Sequence, residues 1–251
     1  MPETTDEITA VRRSHDRLVD LLTPLGPEQL SGKSYASEWS IADVASHLGS
    51  QAEIFTLFLD AGLTGSAAPG VDAFRPIWDR WNALAPTDQA AQSIAANEQF
   101  VSRLEGVAAE QQPFSLDLFG STQDLDGFAA IRLREHAVHT WDIAVALDPA
   151  ATVAGDAVDL LIDEMDQVVG RAGKPIAGAA PIAVETTDPA RSFLLTLTPS
   201  VALSAGNGAA DVTLPAEAFI RLIYGRLDPE HTPAGAESEQ LAQLRGAFPG
   251  F

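Results

Sequence analysis

Residues 132–147 read RLREHAVHTWDIAVAL, and the spacing inside this stretch decides both the fold of the first half of the chain and the chemistry to look for there. Residues four apart on an α-helix stand one above the other, so Glu135 and His139 project together and Asp142 extends the same line. Their companions on that face, Phe128, Ile131, Val138 and Val145, are apolar, which directs the face inward. A charge taken out of water has to be paired, hydrogen-bonded or metal-bound. Two readings satisfy that demand. Arg132 can pair with Glu135 within the helix while His139 is hydrogen-bonded, or Glu135 and His139 can be two ligands of a metal.

A second stretch, EWSIADVASHL at 38–48, bears on that choice. Ser40 is placed to cap a helix with Asp43 three residues on. Ile41, Val44, Leu48, Phe55 and Leu59 then form its buried stripe, and the helix carries His47. A lone histidine on such a helix is more commonly a satisfied core residue than a ligand. Two histidines and a carboxylate from two helices nevertheless form a catalytic type of metal set, with positions left open for water or substrate and a preference for Zn²⁺ over Ni²⁺ or Fe²⁺.

Around these two segments the first half reads as helices. One is expected over 7–25, ended by Pro27; a long one follows Ser40; the stretch from about Phe74 to Glu105 reads as helix interrupted or bent near Pro86; a fourth runs from about Phe128 to Leu147. Four such helices suggest an antiparallel bundle, whose interior is a usual place for a metal site. Beyond about residue 155 the pattern changes. A helix over 155–172 leads into strand-like PIAVETTD, RSFLLTLTP and VALSAG, a GNG hairpin turn at 206–208, a further strand, the helix AEAFIRLIYGR and a last helix in SEQLAQLRGAF. The expected architecture is α+β, with a four-helix bundle over 1–155 and a small α+β domain over 156–251.

Composition narrows the function. A formal net charge of −20 repels phosphate backbones and anionic membrane surfaces, so no nucleic acid and no membrane are expected as partners. No run approaches a membrane span, and the start of the chain is polar and acidic where a secretory signal is basic and then apolar; a cytoplasmic protein, monomeric or a small homo-oligomer, is expected. The chain has no cysteine, so thiol chemistry needs a thiol supplied from outside. No Gly-x-Ser-x-Gly elbow is present, and hydrolase triad chemistry is unsupported.

The two quoted segments, in their order and spacing, resemble the hallmarks of the mycothiol-dependent maleylpyruvate isomerase family, a branch of the DinB-like metal-binding four-helix bundles. Those hallmarks are a Trp-Ser or Trp-Thr turn with an Asp-Val pair and a histidine, then an arginine, Glu-x-x-x-His and Trp-Asp. The resemblance implies that His47, Glu135 and His139 bind a divalent metal, usually zinc. It also implies a C-terminal domain of sterol-carrier-like fold, and mycothiol as a low-molecular-weight thiol cosubstrate acting on a small electrophile. The reaction implied is thiol-assisted cis-trans isomerisation of a maleylpyruvate-like substrate, or S-transfer.

Five further residues carry expectations. Asp142 is a candidate to orient an imidazole or accept a proton, against a plain ion-pair role. It is also the nearest potential fourth ligand: a fourth ligand would close the site and favour the rival reading, a non-catalytic binding protein with a structural metal. His136 points about 100° away from Glu135, toward surface or interhelix packing. Trp39 is either a lid or a hydrophobic staple onto its helix. Arg221 and Arg226 carry guanidinium groups that suit substrate carboxylates, and the family's similar Gly-Arg pair favours Arg226.

Overall fold

Capping chemistry fixes where the helices start. The computed structural model describes residues 5–36, 38–118 and 120–250. Thr5 caps α1 (Asp6–Leu22). Proline 27 does not simply stop the chain pattern: it opens a one-turn helix, α2 (Pro27–Leu30), in the first-turn position where a missing N–H costs nothing. Ser40 caps α3 (Ile41–Thr64) in a reciprocal box: its hydroxyl accepts from the Asp43 amide at 3.1 Å, and the Asp43 carboxylate accepts from the Ser40 amide at 2.9 Å.

The stretch expected to be interrupted or bent near Pro86 is interrupted, as two helices. The first, α4 (Val71–Asn82), ends before Pro86, which opens α5 (Pro86–Ala109); proline starts a new helix here for the same reason as Pro27. A small hairpin, β1 (Leu116–Leu118) with β2 (Ser121–Gln123), occupies what composition presents as a loop. Asp124 then caps α6 (Leu125–Leu147) through the Gly127 amide at 2.9 Å.

The chain forms two compact units, one ending at Ala151 and the other starting at Thr152. In the first, α1, α3, α5 and α6 pack on one another and α4 lies against α3. Leu18, Ile41, Val44, Leu48 and Ile143 are among the core residues, and each such side chain contributes roughly 1.5–3 kcal/mol on burial. Helix α6 departs from the amphipathic expectation because it is enclosed on nearly all sides: besides Phe128, Leu133 and Trp141, it buries Arg132, His136 and Asp142 completely. His136 is thus interior rather than superficial, hydrogen-bonded through Nδ1 to the Ser14 hydroxyl at 2.8 Å and the Thr140 hydroxyl at 3.2 Å.

The second unit begins with α7 (Gly155–Leu161), a 3₁₀ turn (Ile162–Glu164) and α8 (Met165–Ala172). Strands β3 (Ile182–Thr187), β4 (Arg191–Thr196), β5 (Ala202–Ala205) and β6 (Val212–Pro215) form one sheet in the order β5-β4-β3-β6, antiparallel except for β3 with β6. The GNG segment is therefore no hairpin turn. Its flanking strands lie at opposite edges of the sheet, so 206–211 is a crossing connection, as parallel pairing with β3 requires. Helix α9 (Ala216–Ile223) packs Phe219 flat on Phe193 of β4, ring centroids 5.1 Å apart, and α10 (Glu239–Ala247) ends the fold. No helix among the described residues is long and apolar enough to cross a membrane.

Two expectations follow. Gly49 sits mid-helix in α3 because a Cβ there would run into the Trp81 indole, whereas a Cβ at Gly106 of α5 meets nothing. Gly49→Ala should destabilise by about 1–3 kcal/mol through overpacking and Gly106→Ala should stabilise by about 0.5–1 kcal/mol, both read by urea denaturation. Burial, chiefly, also holds the His15 and His136 imidazoles below their ordinary pKa of 6.5. The unfolded chain then takes up protons that the folded one refuses, so their stabilisation is full above about pH 6.5 and falls below it by up to about 1.4 kcal/mol per histidine per pH unit. Melting temperature should drop between pH 7 and 5.5; a flat profile would contradict this.

Candidate metal centre

The capping box at Ser40 sets the phase of α3 so that His47 falls two turns in, facing α6. One potential ligand atom each from His47, Glu135 and His139 lie within 4.8 Å of one another. The two imidazole Nε2 atoms stand 3.8 Å from the same carboxylate oxygen, Glu135 Oε2, and the two rings meet edge-on with centroids 4.5 Å apart. These separations are too long for hydrogen bonds, and His47 Nε2 is buried with no hydrogen-bond partner. A buried polar atom left unsatisfied is costly. A divalent cation between two imidazoles and a carboxylate supplies the missing partner, and the donor set suits zinc. The residues present therefore fit the metal.

Asp142 answers the question of closure. Its carboxylate oxygen Oδ2 lies 2.9 Å from His139 Nδ1 and is fully buried. An aspartate on Nδ1 holds the proton there and leaves Nε2 unprotonated toward Glu135, the arrangement that prepares a histidine for metal. Among the described residues the grouping has three members and Asp142 is not one of them.

The loop before α3 is tied to the same helix. The Tyr35 amide donates to the Asp142 carbonyl at 3.1 Å, and the Tyr35 ring packs on Trp141 at 4.9 Å. Trp39 lies over the histidines, 5.1 Å from the His47 ring and stacked on His139 at 6.2 Å. It keeps 37% of its surface exposed and stands beside the two histidines at the start of α3.

Arg132 does not pair directly with Glu135. Its guanidinium donates to Gln51 Oε1 at 2.7 Å, Asn97 Oδ1 at 2.6 Å and the Leu48 carbonyl at 3.0 Å, while Gln51 Nε2 donates to Glu135 Oε2 at 2.7 Å. Gln51 is the site residue that spacing analysis passes over. The available signal is its position one turn after His47 on the same face of α3. Burial would by itself raise the Glu135 carboxyl; the His47 and His139 imidazoles and the Gln51 amide outweigh it and hold the carboxyl below its usual range. Burial, chiefly, with the charge of Arg132 nearby, lowers the His47 imidazole against the pull of Glu135.

The two candidate arginines, Arg221 and Arg226, have partners within the second unit. Arg221 is buried and bidentate to Glu217 at 2.7 and 2.8 Å, and also donates to the His231 carbonyl at 3.0 Å. Arg226 donates to the Tyr224 carbonyl at 2.9 Å.

Comparison with known proteins bears on the family and the fold. Residues 11–144 match the family model described as mycothiol maleylpyruvate isomerase N-terminal domain. No curated protein matches the chain. Two solved structures do: a mycothiol-dependent maleylpyruvate isomerase with a TM-score of 0.62, and a histidine-to-alanine mutant of a mycothiol-dependent maleylpyruvate isomerase with a TM-score of 0.66. Each is 14% identical and aligns over 94% of this chain and 98% of its own. At that identity the likeness speaks for the fold, a helical region followed by a small sheet-containing one and α+β overall.

The geometry predicts uptake of about one divalent ion per chain, abolished by His47→Ala or His139→Ala. Asp142→Asn should weaken binding roughly 10–100-fold while leaving the ligands in place. Competition against a chromophoric chelator measures both. Affinity unchanged in Asp142→Asn would remove its role on His139.

Proposed function

This chain belongs to the mycothiol maleylpyruvate isomerase family, and on that premise we propose that it is a metal-dependent enzyme that activates a low-molecular-weight thiol, mycothiol, for attack on a small electrophile. What carries this reading is the three-member ligand set with Asp142 turned onto His139: catalytic metal sites keep a coordination position open, and structural ones fill it. That observation favours the enzyme over a binding protein with a structural metal.

A bound divalent cation, zinc by the donor chemistry of the set, lowers the pKa of a thiol so that a thiolate is available at neutral pH. The protein's own groups prepare the site. Asp142 keeps the His139 proton on Nδ1, His47 presents an uncharged Nε2, and Glu135 brings the negative charge that offsets a cation. Trp39 walls one side of the histidines and limits the directions from which water and substrate approach. In the isomerase reaction, the thiol sulfur adds to one carbon of the cis double bond of a maleylpyruvate-like substrate. The bond, now single, rotates, and loss of the same thiolate restores the double bond in the trans form. With an electrophile that does not expel the thiol, the same attack ends as an S-conjugate.

Calorimetry of the zinc-loaded protein against mycothiol, glutathione and bacillithiol tests the proposal. We expect mycothiol to bind and the binding to vanish in His47→Ala. Absence of binding by every thiol would overturn it.

A further inference from the structure

Arg132 is fully buried, although no acid touches it. Burial pulls its guanidinium down to about 10, so it stays charged at neutral pH. Its surroundings read as a built cradle. Phe55 and Phe100 lie beneath the guanidinium at 5.2 and 5.8 Å, and three acceptors each take a terminal N–H group while the buried Nε has no partner among the described residues. Such a charge in a core costs several kcal/mol unless fully hydrogen-bonded, and a hydrophobic residue of similar volume would serve packing alone as well. Arg132 therefore has a use other than cohesion.

The use is in the direction of the hydrogen bonds. A guanidinium has only donors, so the atom of Gln51 facing it has to be the carbonyl oxygen, Oε1. That fixes the side-chain amide in one of its two flips and turns Nε2 to the opposite side, where it donates to Glu135 Oε2. The oxygen so held is the one that stands 3.8 Å from both His47 Nε2 and His139 Nε2. Glu135 is itself partly exposed, and a glutamate with several rotatable bonds has other rotamers that take this oxygen away from the histidines. Asn97, the other side-chain acceptor, is pinned in turn by its own amide donating to the Ser93 carbonyl at 2.9 Å. The chain of contacts thus runs from α5 through α6 to α3 and back to α6.

From this we infer that Arg132 and Gln51 are positioning residues for the Glu135 carboxylate: the buried guanidinium orients the Gln51 amide, and the amide aims Glu135 Oε2 between His47 and His139. The inference rests on the metal reading of the site given above. It assigns a role to Arg132 that is neither a ligand nor an ion pair, and it makes Gln51 the residue whose loss should detune the site without removing a ligand.

The test compares wild-type protein with Gln51→Leu and Arg132→Met, each stripped and titrated with Zn²⁺ against a chelator, and records the visible spectrum of the Co²⁺-loaded forms. Gln51→Leu should bind Zn²⁺ roughly 10–100-fold more weakly, as loss of a ligand's hydrogen-bond partner does, and should shift the Co²⁺ ligand-field bands. Arg132→Met, if it folds, should move both readouts in the same direction with Gln51 still present. A folded Gln51→Leu protein with wild-type zinc affinity and an unshifted Co²⁺ spectrum would overturn the inference while leaving the metal site intact. Wild-type protein that takes up no metal would overturn the metal reading and the inference together.

Discussion

The need to satisfy polar groups on a helix that water cannot reach is the constraint on which the first unit depends. Helix α6 carries Arg132, His136 and Asp142 into the interior with no measurable exposure. Each is tolerated because a specific partner meets it: Gln51, Asn97 and a carbonyl for Arg132, the Ser14 and Thr140 hydroxyls for His136, and His139 for Asp142. These partners come from α1, α3, α5 and α6 itself, so the arrangement of the four core helices is specified by directional bonds as well as by packing. A half-satisfied network of this kind would be worse than an apolar core. Arg132 Nε and His136 Nε2 stay buried without a partner among the described residues, and the bonds that are made let so many polar residues sit where a hydrophobic helix would be expected.

Much of this was legible in the sequence where a local rule applied. The Ser40–Asp43 box marks the start of α3, the i, i+4 relation joins Glu135 to His139, and the β-branched runs after residue 181 announce strands. The fold class follows from these signals, as the solved structures bear out, and the family from the resemblance of the two motifs, as the matched family model bears out. What escaped depends on contacts between distant segments. Pro86 is compatible with a bend or with a fresh helix start, and only packing of α4 on α3 selects the second. The GNG segment has hairpin chemistry, but β6 is drawn across the sheet to pair with β3, a choice that no short window contains.

The site divides the same way. Glu135 and His139 belong to one helix and reveal each other; His47 lies 92 residues before His139 and joins them only through tertiary structure or a resemblance between families. Gln51 carries no chemical flag of its own. Its meaning comes from Arg132 on another helix, which itself looked like the other half of an ion pair with Glu135. The ion-pair alternative was sound as local reasoning and failed because the guanidinium turns away toward α3 and α5.

The close approach of Trp81 to Gly49 has a consequence beyond the fit of two helices. His47 and Gln51 form one i, i+4 pair on α3 and face α6, while Gly49 and Glu53 form a second pair offset by two residues, which is about 200° around the helix. On that far side Trp81 lies against Gly49 and its indole N–H donates to Glu53 at 2.9 Å. Seven consecutive residues are thereby gripped from two directions, and neither face can drift without disturbing the other. A substitution at Trp81, outside the proposed ligand set, would loosen α3 on the side opposite His47. The window 47–53 is thereby constrained even at positions such as Gly49 that face away from the histidines.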